Sequence, residues 1–273
     1  MNGWAPLALL LGSGLLAVAA LALAPRWQAW RDARRRGQPF PAAWRRVLRR
    51  RVPLIARLPP PLRRRLEGHV QVFLADKAFI GCQGQPITDE LRLTIAAQAC
   101  LLLLGQPGGP VYPALRQVLV YPSAFVVDRV RPAPGGVQQD QRLALAGESW
   151  QQGQVILSWA DVREGADDPD DGRNVVLHEF AHQIDQDSGR ADGRPWRPTP
   201  AGRARWDAVL GELFARLQWQ PSPLLGSYAA TEPAELLAVA TELFFEQPEA
   251  LAEAEPALYD ELRALYGVHP RVW

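Results

Sequence analysis

The segment NVVLHEFAHQID at residues 174–185 holds the side chains with the clearest chemical potential. It sets His178, Glu179 and His182 among mostly apolar residues, which predicts a largely buried helix. Histidines at positions i and i+4 lie one above the other on one helical face, close enough to bind one tetrahedral cation. Glu179 projects beside them, where a carboxylate can take a proton from metal-bound water without binding the metal. The pattern predicts a hydrolytic zinc centre, because zinc tolerates two imidazoles plus a carboxylate and leaves one position open.

Coincidence explains this motif poorly, because the chain has only four histidines and two of them fall in one HExxH pattern. The other two, His69 and His269, stand alone in the sequence. We predict each of them to be a helix-surface or terminal residue rather than a metal ligand. For the motif itself, the alternative is a buried helix whose histidines donate to backbone or carboxylate groups.

A catalytic zinc of this kind needs a third protein ligand. Asp185 lies seven residues beyond His178, a rise of ~10 Å along the same helix, which is too far for three side chains to converge on one ion. We expect Asp185 to orient a histidine or to end the helix. A second helix is predicted from about Pro233, and its Glu235 and Glu242 share one apolar stripe. From the residues alone the two glutamates are equal candidates, and a capping or surface role stays open for each.

The surrounding pattern indicates a mainly helical α+β domain. Periodic apolar residues predict helices, and β-branched apolar runs predict strands. The helices fall at residues 62–78, 88–104 and 206–217, and the strands at residues 117–127 and 154–159. Residues 132–141 between the strands look like a mobile loop. The strand QVILSW at 154–159 is a candidate sheet edge for an extended peptide, with an ordinary interior strand as the equal alternative.

Four segments carry a resemblance to a known family. They are HEFAHQID and SYAATEPAELLAVATELFFEQP, with FLADKAFIGCQGQPITDELRLTIAAQACLLLL and VLVYPSAFV upstream. Together they resemble the Mlc titration factor A family of bacterial zinc peptidases, over about residues 39–270. That family is similar, in its metal-binding half, to the catalytic domain of anthrax lethal factor. The resemblance implies a zincin-like metallopeptidase domain of the α+β class with a small mixed sheet.

The resemblance also implies the roles of particular residues. It describes a gluzincin, in which His178, His182 and Glu235 would hold one Zn²⁺, since the family's third ligand is the glutamate of the PAE segment. Glu242 would then orient a ligand or pack. Tyr228, seven residues before that glutamate, would donate its phenol to the oxyanion formed during hydrolysis. The glutamate of the HExxH motif would be the general base and later protonate the leaving amine.

The implied function is zinc-dependent hydrolysis of peptide bonds in a peptide or protein substrate. The main alternative is a regulatory binding protein that sequesters a partner such as a transcription regulator, with a structural or vestigial zinc site. In structural zinc sites, protein ligands normally fill all four coordination positions. The three ligands predicted here leave one position open, which favours catalysis. A zinc hydrolase acting on a non-peptide amide is a further alternative.

The start of the chain predicts a membrane anchor. Residues 4–24 carry no charge, and as a helix they extend about 31 Å, enough for a ~30 Å hydrocarbon core. Between residues 26 and 65 there are fourteen arginines and a single acid, Asp32. By the positive-inside rule, this asymmetry predicts a single-pass protein of the inner membrane with its catalytic domain in the cytoplasm. A cleaved signal peptide, a buried core helix and a soluble cytoplasmic protein are the alternatives.

The predicted organisation has three parts. An anchor at 4–24 is followed by a basic juxtamembrane linker at 25–38, attracted to anionic lipid, and by a zinc metallopeptidase domain at 39–273. The chain has 273 residues and a net charge of only +1, which argues against a chain-wide field for nucleic acid. The arginine-rich stretch carries no recognition motif, so we expect no nucleic-acid partner.

Overall fold

The structure, a computed structural model, describes residues 5–133, 137–145, 147–150, 153–187 and 189–273. It consists mainly of helices, with a small sheet and a separate two-stranded ribbon. The helices are α1 (Ala5–Arg36), α2 (Ala42–Arg51), α3 (Pro60–Asp76), α4 (Asp89–Leu101), α5 (Trp159–Asp167), α6 (Val175–Gln186), α7 (Pro200–Leu217), α8 (Pro233–Glu246), α9 (Pro248–Ala254) and α10 (Pro256–Tyr266). The strands are β1 (Ala78–Gly81), β2 (Gln117–Tyr121), β3 (Phe125–Ala133), β4 (Val137–Leu145), β5 (Gly147–Trp150) and β6 (Gln154–Ser158). Short 3₁₀ turns lie at Pro53–Arg57, Tyr228–Ala230 and Pro270–Val272.

The small sheet has the strand order β1-β2-β6-β5. Strands β1, β2 and β6 are parallel, and β5 runs antiparallel to β6. The prediction of a mainly helical α+β domain with a small sheet is therefore confirmed. Of the two equal alternatives for 154–159, the interior strand is confirmed and the sheet edge is wrong, because β2 and β5 pair with β6 on its two sides. Among the described strands, β5 is the outer one on that side.

A two-stranded ribbon occupies most of the stretch that we expected to form a mobile loop. Strands β3 and β4 pair antiparallel from Phe125 opposite Leu145 to Ala133 opposite Val137. For residues 132–133 and 137–141 the loop prediction is wrong, because these residues form cross-strand backbone pairs that a polar composition does not reveal. Residues 134–136 lie outside the described residues.

One apolar core extends from Phe40 to Val268 and includes side chains of α3, α4, α6, α8 and α10. Helices α6 and α8 pack against each other within it. Phe180 of α6 and Phe244 of α8 are fully buried. Pro233 stands in the first turn of α8, where the missing N–H leaves no helical bond unmade. These contacts hold the two helices that carry the motif residues in a fixed relation.

The N-terminal prediction finds no support in the structure. Within the part of the chain that the structure describes, no helix combines the length and the apolar character that a membrane span requires. Residues 1–4, and most side chains of residues 5–20, lie outside the described residues. The described side chains of the segment 4–24 are exposed, so the alternative of a buried core helix is not supported either.

Helix α1 continues through the predicted linker to Arg36. Its last turns contact α3, where Arg31 and Arg35 each donate to Oδ1 of Asp76 at 2.7 Å. The stretch before residue 39 thus includes residues that pack on the domain. The boundaries at 4–24, 25–38 and 39–273 remain predictions.

Candidate metal centre

Two packed helices, α6 and α8, carry the candidate metal centre. The i and i+4 spacing on α6 sets the ring centroids of His178 and His182 5.0 Å apart. From α8, Oε2 of Glu235 lies 3.0 Å from Nε2 of His178 and 3.5 Å from Nε2 of His182. One ligand atom from each residue lies within 4.8 Å of the other two, so the group could hold a metal ion. Three side chains that the sequence predicts as ligands are therefore together in space.

Glu242 approaches His178 from the side of the ring opposite to Glu235. Its Oε1 lies 2.8 Å from Nδ1 of His178, whereas Glu235 lies against Nε2 of that ring. A carboxylate at Nδ1 fixes the tautomer and the orientation of an imidazole whose other nitrogen binds a metal. Of the two glutamates that the residues alone left open, Glu235 is the one whose contacts reach both histidines.

The two glutamates dominate the electrostatics around His178. Burial alone lowers the pKa of His178, but hydrogen bonds with Glu235 and Glu242 outweigh burial and hold it well above its ordinary value. Burial alone raises the pKa of Glu235, but hydrogen bonds with the two histidines hold it well below its usual range. A divalent cation would displace the proton on the imidazole, because a ligating histidine must be neutral.

The two predicted catalytic side chains lie beside this group. Glu179 is buried on α6, and its charge contributes to the raised pKa of His178. Tyr228 begins the 3₁₀ turn that precedes α8, and its ring centroid lies 5.9 Å from that of His178. Tyr228 is 53% exposed. The catalytic roles of both residues remain predictions.

A buried polar network at the start of α6 was missed by the sequence reasoning. Asn174 caps this helix, and its Oδ1 accepts from two backbone N–H groups of the first turn. Its backbone N–H donates to Oε2 of Glu242 at 2.5 Å, and its Nδ2 donates to Oε1 of Glu246 at 2.8 Å. Nδ2 also donates to Oε1 of Gln98 at 2.6 Å. The available signals were an asparagine directly before an apolar helical run and two glutamates one turn apart on the buried α8.

Asp185 is buried near the end of α6 and holds the loop that follows it. Its Oδ2 accepts from the backbone N–H of Gly193 at 2.7 Å, and burial raises its pKa to about 6. Gly193 has a φ of +77°, and a Cβ there would lie 2.5 Å from the carbonyl oxygen of Pro233. The loop therefore fits tightly between the end of α6 and the beginning of α8.

The two remaining histidines lie elsewhere in the fold. His69 is buried in α3 rather than on a helix surface as predicted, and burial lowers its pKa to about 4. His269 hydrogen-bonds through Nδ1 to the Tyr259 hydroxyl at 3.0 Å. Among the described residues, the candidate metal group includes neither of them.

Comparison with known proteins gives a family match over most of the chain. The model of the family described as glucose-regulated metallo-peptidase M90 matches residues 27–267. The protein named "Uncharacterized protein slr2042" of Synechocystis sp. is 38% identical over 253 residues, which cover 91% of this chain and 92% of that protein. Mlc titration factor A of Klebsiella pneumoniae is 35% identical over 79% of this chain and 82% of its own length. Mlc titration factor A of Escherichia fergusonii is 34% identical over 76% and 79%, respectively.

Proposed function

This chain belongs to the glucose-regulated metallopeptidase family M90, and from that premise we propose that it is a zinc-dependent peptidase. The observation that carries the proposal is the convergence of His178, His182 and Glu235 from two helices. Ligand atoms around a tetrahedral zinc ion, with bonds of 2.0–2.1 Å, stand about 3.3 Å apart. The two separations from Glu235 Oε2 are 3.0 and 3.5 Å. Two imidazoles and a carboxylate are also a donor set typical of catalytic zinc with one open position.

Each side chain around the centre has a part in this mechanism. When bound, zinc would polarise the scissile carbonyl and lower the pKa of a coordinated water towards ~7. Glu179 would take the proton of the attacking water and return it to the leaving amine. Tyr228 would donate its phenol O–H to the oxygen on which negative charge develops. Glu242 would hold the imidazole of His178 through Nδ1.

We also propose that an extended peptide substrate binds along β5. This strand is antiparallel to β6, contacts α6, and pairs with no further strand among the described residues. A peptide added to that edge would form main-chain hydrogen bonds with β5, which do not depend on side-chain identity. The arrangement supports a peptide or protein as the substrate class.

The names of the relatives favour a second candidate function. The name "Mlc titration factor A" describes a protein that titrates Mlc. By analogy, this chain would sequester a regulatory protein, and the metal centre would then serve structure rather than turnover.

Zinc analysis and peptide cleavage, measured together on three variants, test the peptidase. We expect Glu235→Ala to lose zinc and activity. Glu179→Gln should keep zinc and lose cleavage by about 10²–10⁴-fold, because it removes only proton transfer. The control Glu253→Ala, at an exposed position of α9, should keep both.

Three outcomes would contradict parts of the proposal. Full zinc occupancy in Glu235→Ala would overturn the ligand set. Normal turnover by Glu179→Gln would remove the general base. A wild-type protein that binds zinc but cleaves no member of a broad peptide panel would favour the regulatory candidate.

A further inference from the structure

Asn174 is a buried side chain, 3% exposed, whose hydrogen bonds connect four helices. Its amide orientation is fixed, because Oδ1 accepts from the first turn of α6 and Nδ2 therefore points away from that turn. The two N–H groups of Nδ2 have three acceptors within hydrogen-bond distance, so one N–H is shared: Gln98 of α4, the carbonyl oxygen of Gly165 in α5 at 3.1 Å, and Glu246 of α8. One residue thereby aligns the beginning of the metal-bearing helix with three neighbouring helices.

Residue 174 contacts α8 at two positions one helical turn apart. Its backbone N–H donates to Oε2 of Glu242, and its side-chain amide donates to Glu246. The other oxygen of Glu242 lies 2.8 Å from Nδ1 of His178. The Glu242 carboxylate is thus held between residue 174 on one side and the histidine on the other. The bond to Glu246 prevents residue 174 from shifting along α8.

We propose that Asn174 is a positioning residue of the metal centre. It fixes the carboxylate of Glu242, and through that carboxylate it orients the imidazole of His178 towards the metal. The inference rests on the proposed function only in that His178 binds a divalent metal ion. Loss of a partner that orients a ligating histidine typically weakens metal affinity 10–100-fold.

Asn174→Ser separates this role from ordinary helix capping. Serine retains an oxygen that caps α6, so the capping contribution survives, but the amide that reaches α4, α5 and α8 is gone. In the full chain, zinc affinity measured by competition with a chromophoric chelator should fall 10–100-fold. Far-UV circular dichroism and the urea midpoint establish that the variant is folded.

A matched pair at Glu246 provides a second test that leaves Asn174 unchanged. Glu246→Leu removes the acceptor for the Asn174 amide, and its zinc affinity should fall in the same way. Glu246→Gln keeps an acceptor oxygen and should retain wild-type affinity. Equal affinity in the two variants would contradict the positioning role, and this pair decides the matter even if Asn174→Ser does not fold.

A double-mutant cycle distinguishes positioning from a general loss of stability. In a Glu242→Ala background, Asn174→Ser should cause no further loss of zinc affinity, because both changes act through one carboxylate. Additive losses would overturn the inference. If the wild type binds zinc and Asn174→Ser binds it equally well, the positioning role fails and the proposed function stands. A wild type that binds no zinc would overturn the proposed function and the positioning role together.

Discussion

Replacing Glu246 with glutamine tests the buried cluster at the start of α6, the helix that carries His178 and His182. Glu246 is 2% exposed, and one of its oxygens accepts from Asn174. Burial raises the pKa of Glu246 from 4.5 to about 8, so its carboxyl group is neutral in the folded protein at pH 7. In the unfolded chain the same group ionises near its ordinary pKa.

The raised pKa gives a definite dependence of stability on pH. Between pH 4.5 and about 8 the folded state holds a proton that the unfolded state has lost, so the free energy of unfolding falls as the pH rises. One proton gives a slope of at most about 1.4 kcal/mol per pH unit, and over about 3.5 pH units the loss reaches about 5 kcal/mol at most. Glutamine is neutral at every pH. Glu246→Gln should therefore match the wild type near pH 4.5 and exceed its stability by several kcal/mol at pH 8.

Urea unfolding between pH 4.5 and 8.5 measures this effect. The experiment uses metal-free protein with a chelator, since a metal that binds only the folded state would add stability of its own. Groups common to both proteins cancel in the difference between wild type and variant. Glu249→Gln, at an exposed glutamate of α9, is the control and should run parallel to the wild type. If the Glu246→Gln curve also ran parallel, the folded protein would not hold the extra proton and the reasoning would be refuted.

Two further substitutions probe other parts of the site. Tyr228→Phe should keep zinc and KM but lower kcat by about 10²-fold, because it removes one donor to the oxyanion. Steady-state kinetics together with metal analysis measure this effect. An unchanged kcat would exclude the phenol from the mechanism. Gly193→Ala should destabilise the fold by about 1–3 kcal/mol, because its Cβ would clash with Pro233 at a positive φ. Thermal unfolding of Gly193→Ala measures the effect, and Gly211→Ala, where the added Cβ meets nothing within 4 Å, is the control. If Gly193→Ala were as stable as the wild type, the loop would have adjusted to the added Cβ.

The sequence could predict most of the candidate metal centre because a helix fixes the geometry of residues four apart. His178 and His182 had to face one point, whatever fold surrounded them. The candidate third ligand could not be chosen from the sequence in this way. Glu235 and Glu242 occupy one stripe of α8, and which of them reaches the histidines depends on where α8 crosses α6. Family resemblance favoured Glu235, and the contacts of Glu235 with both histidines agree with that choice.

Several helices and strand β6 were predictable from the sequence, but the pairing between strands was not. Strand β6 was recognised from its apolar, β-branched residues, yet those residues cannot reveal that β5 pairs with its outer side. The ribbon of β3 and β4 was not predicted for the same reason. Its backbone pairing joins two segments, and the composition of either segment alone does not reveal it. Asn174 was overlooked because its importance comes from partners at positions 98, 242 and 246, which only the folded chain brings together.

The arrangement of acids on α8 explains why a buried, mostly apolar helix retains them. Glu235 and Glu242 each have a histidine partner, so the favourable pairing offsets the loss of hydration. Glu246 has no cationic partner among the causes of its shift: burial is the main reason for its raised pKa, and the negative charges of Asp171 and Glu242 raise it further. Because Glu246 stays protonated at neutral pH, no second negative charge lies one turn from Glu242 to compete for the His178 proton. Two glutamates one turn apart on α8 thus have different partners: Glu242 contacts the imidazole of His178, and Glu246 accepts from the Asn174 amide that caps α6.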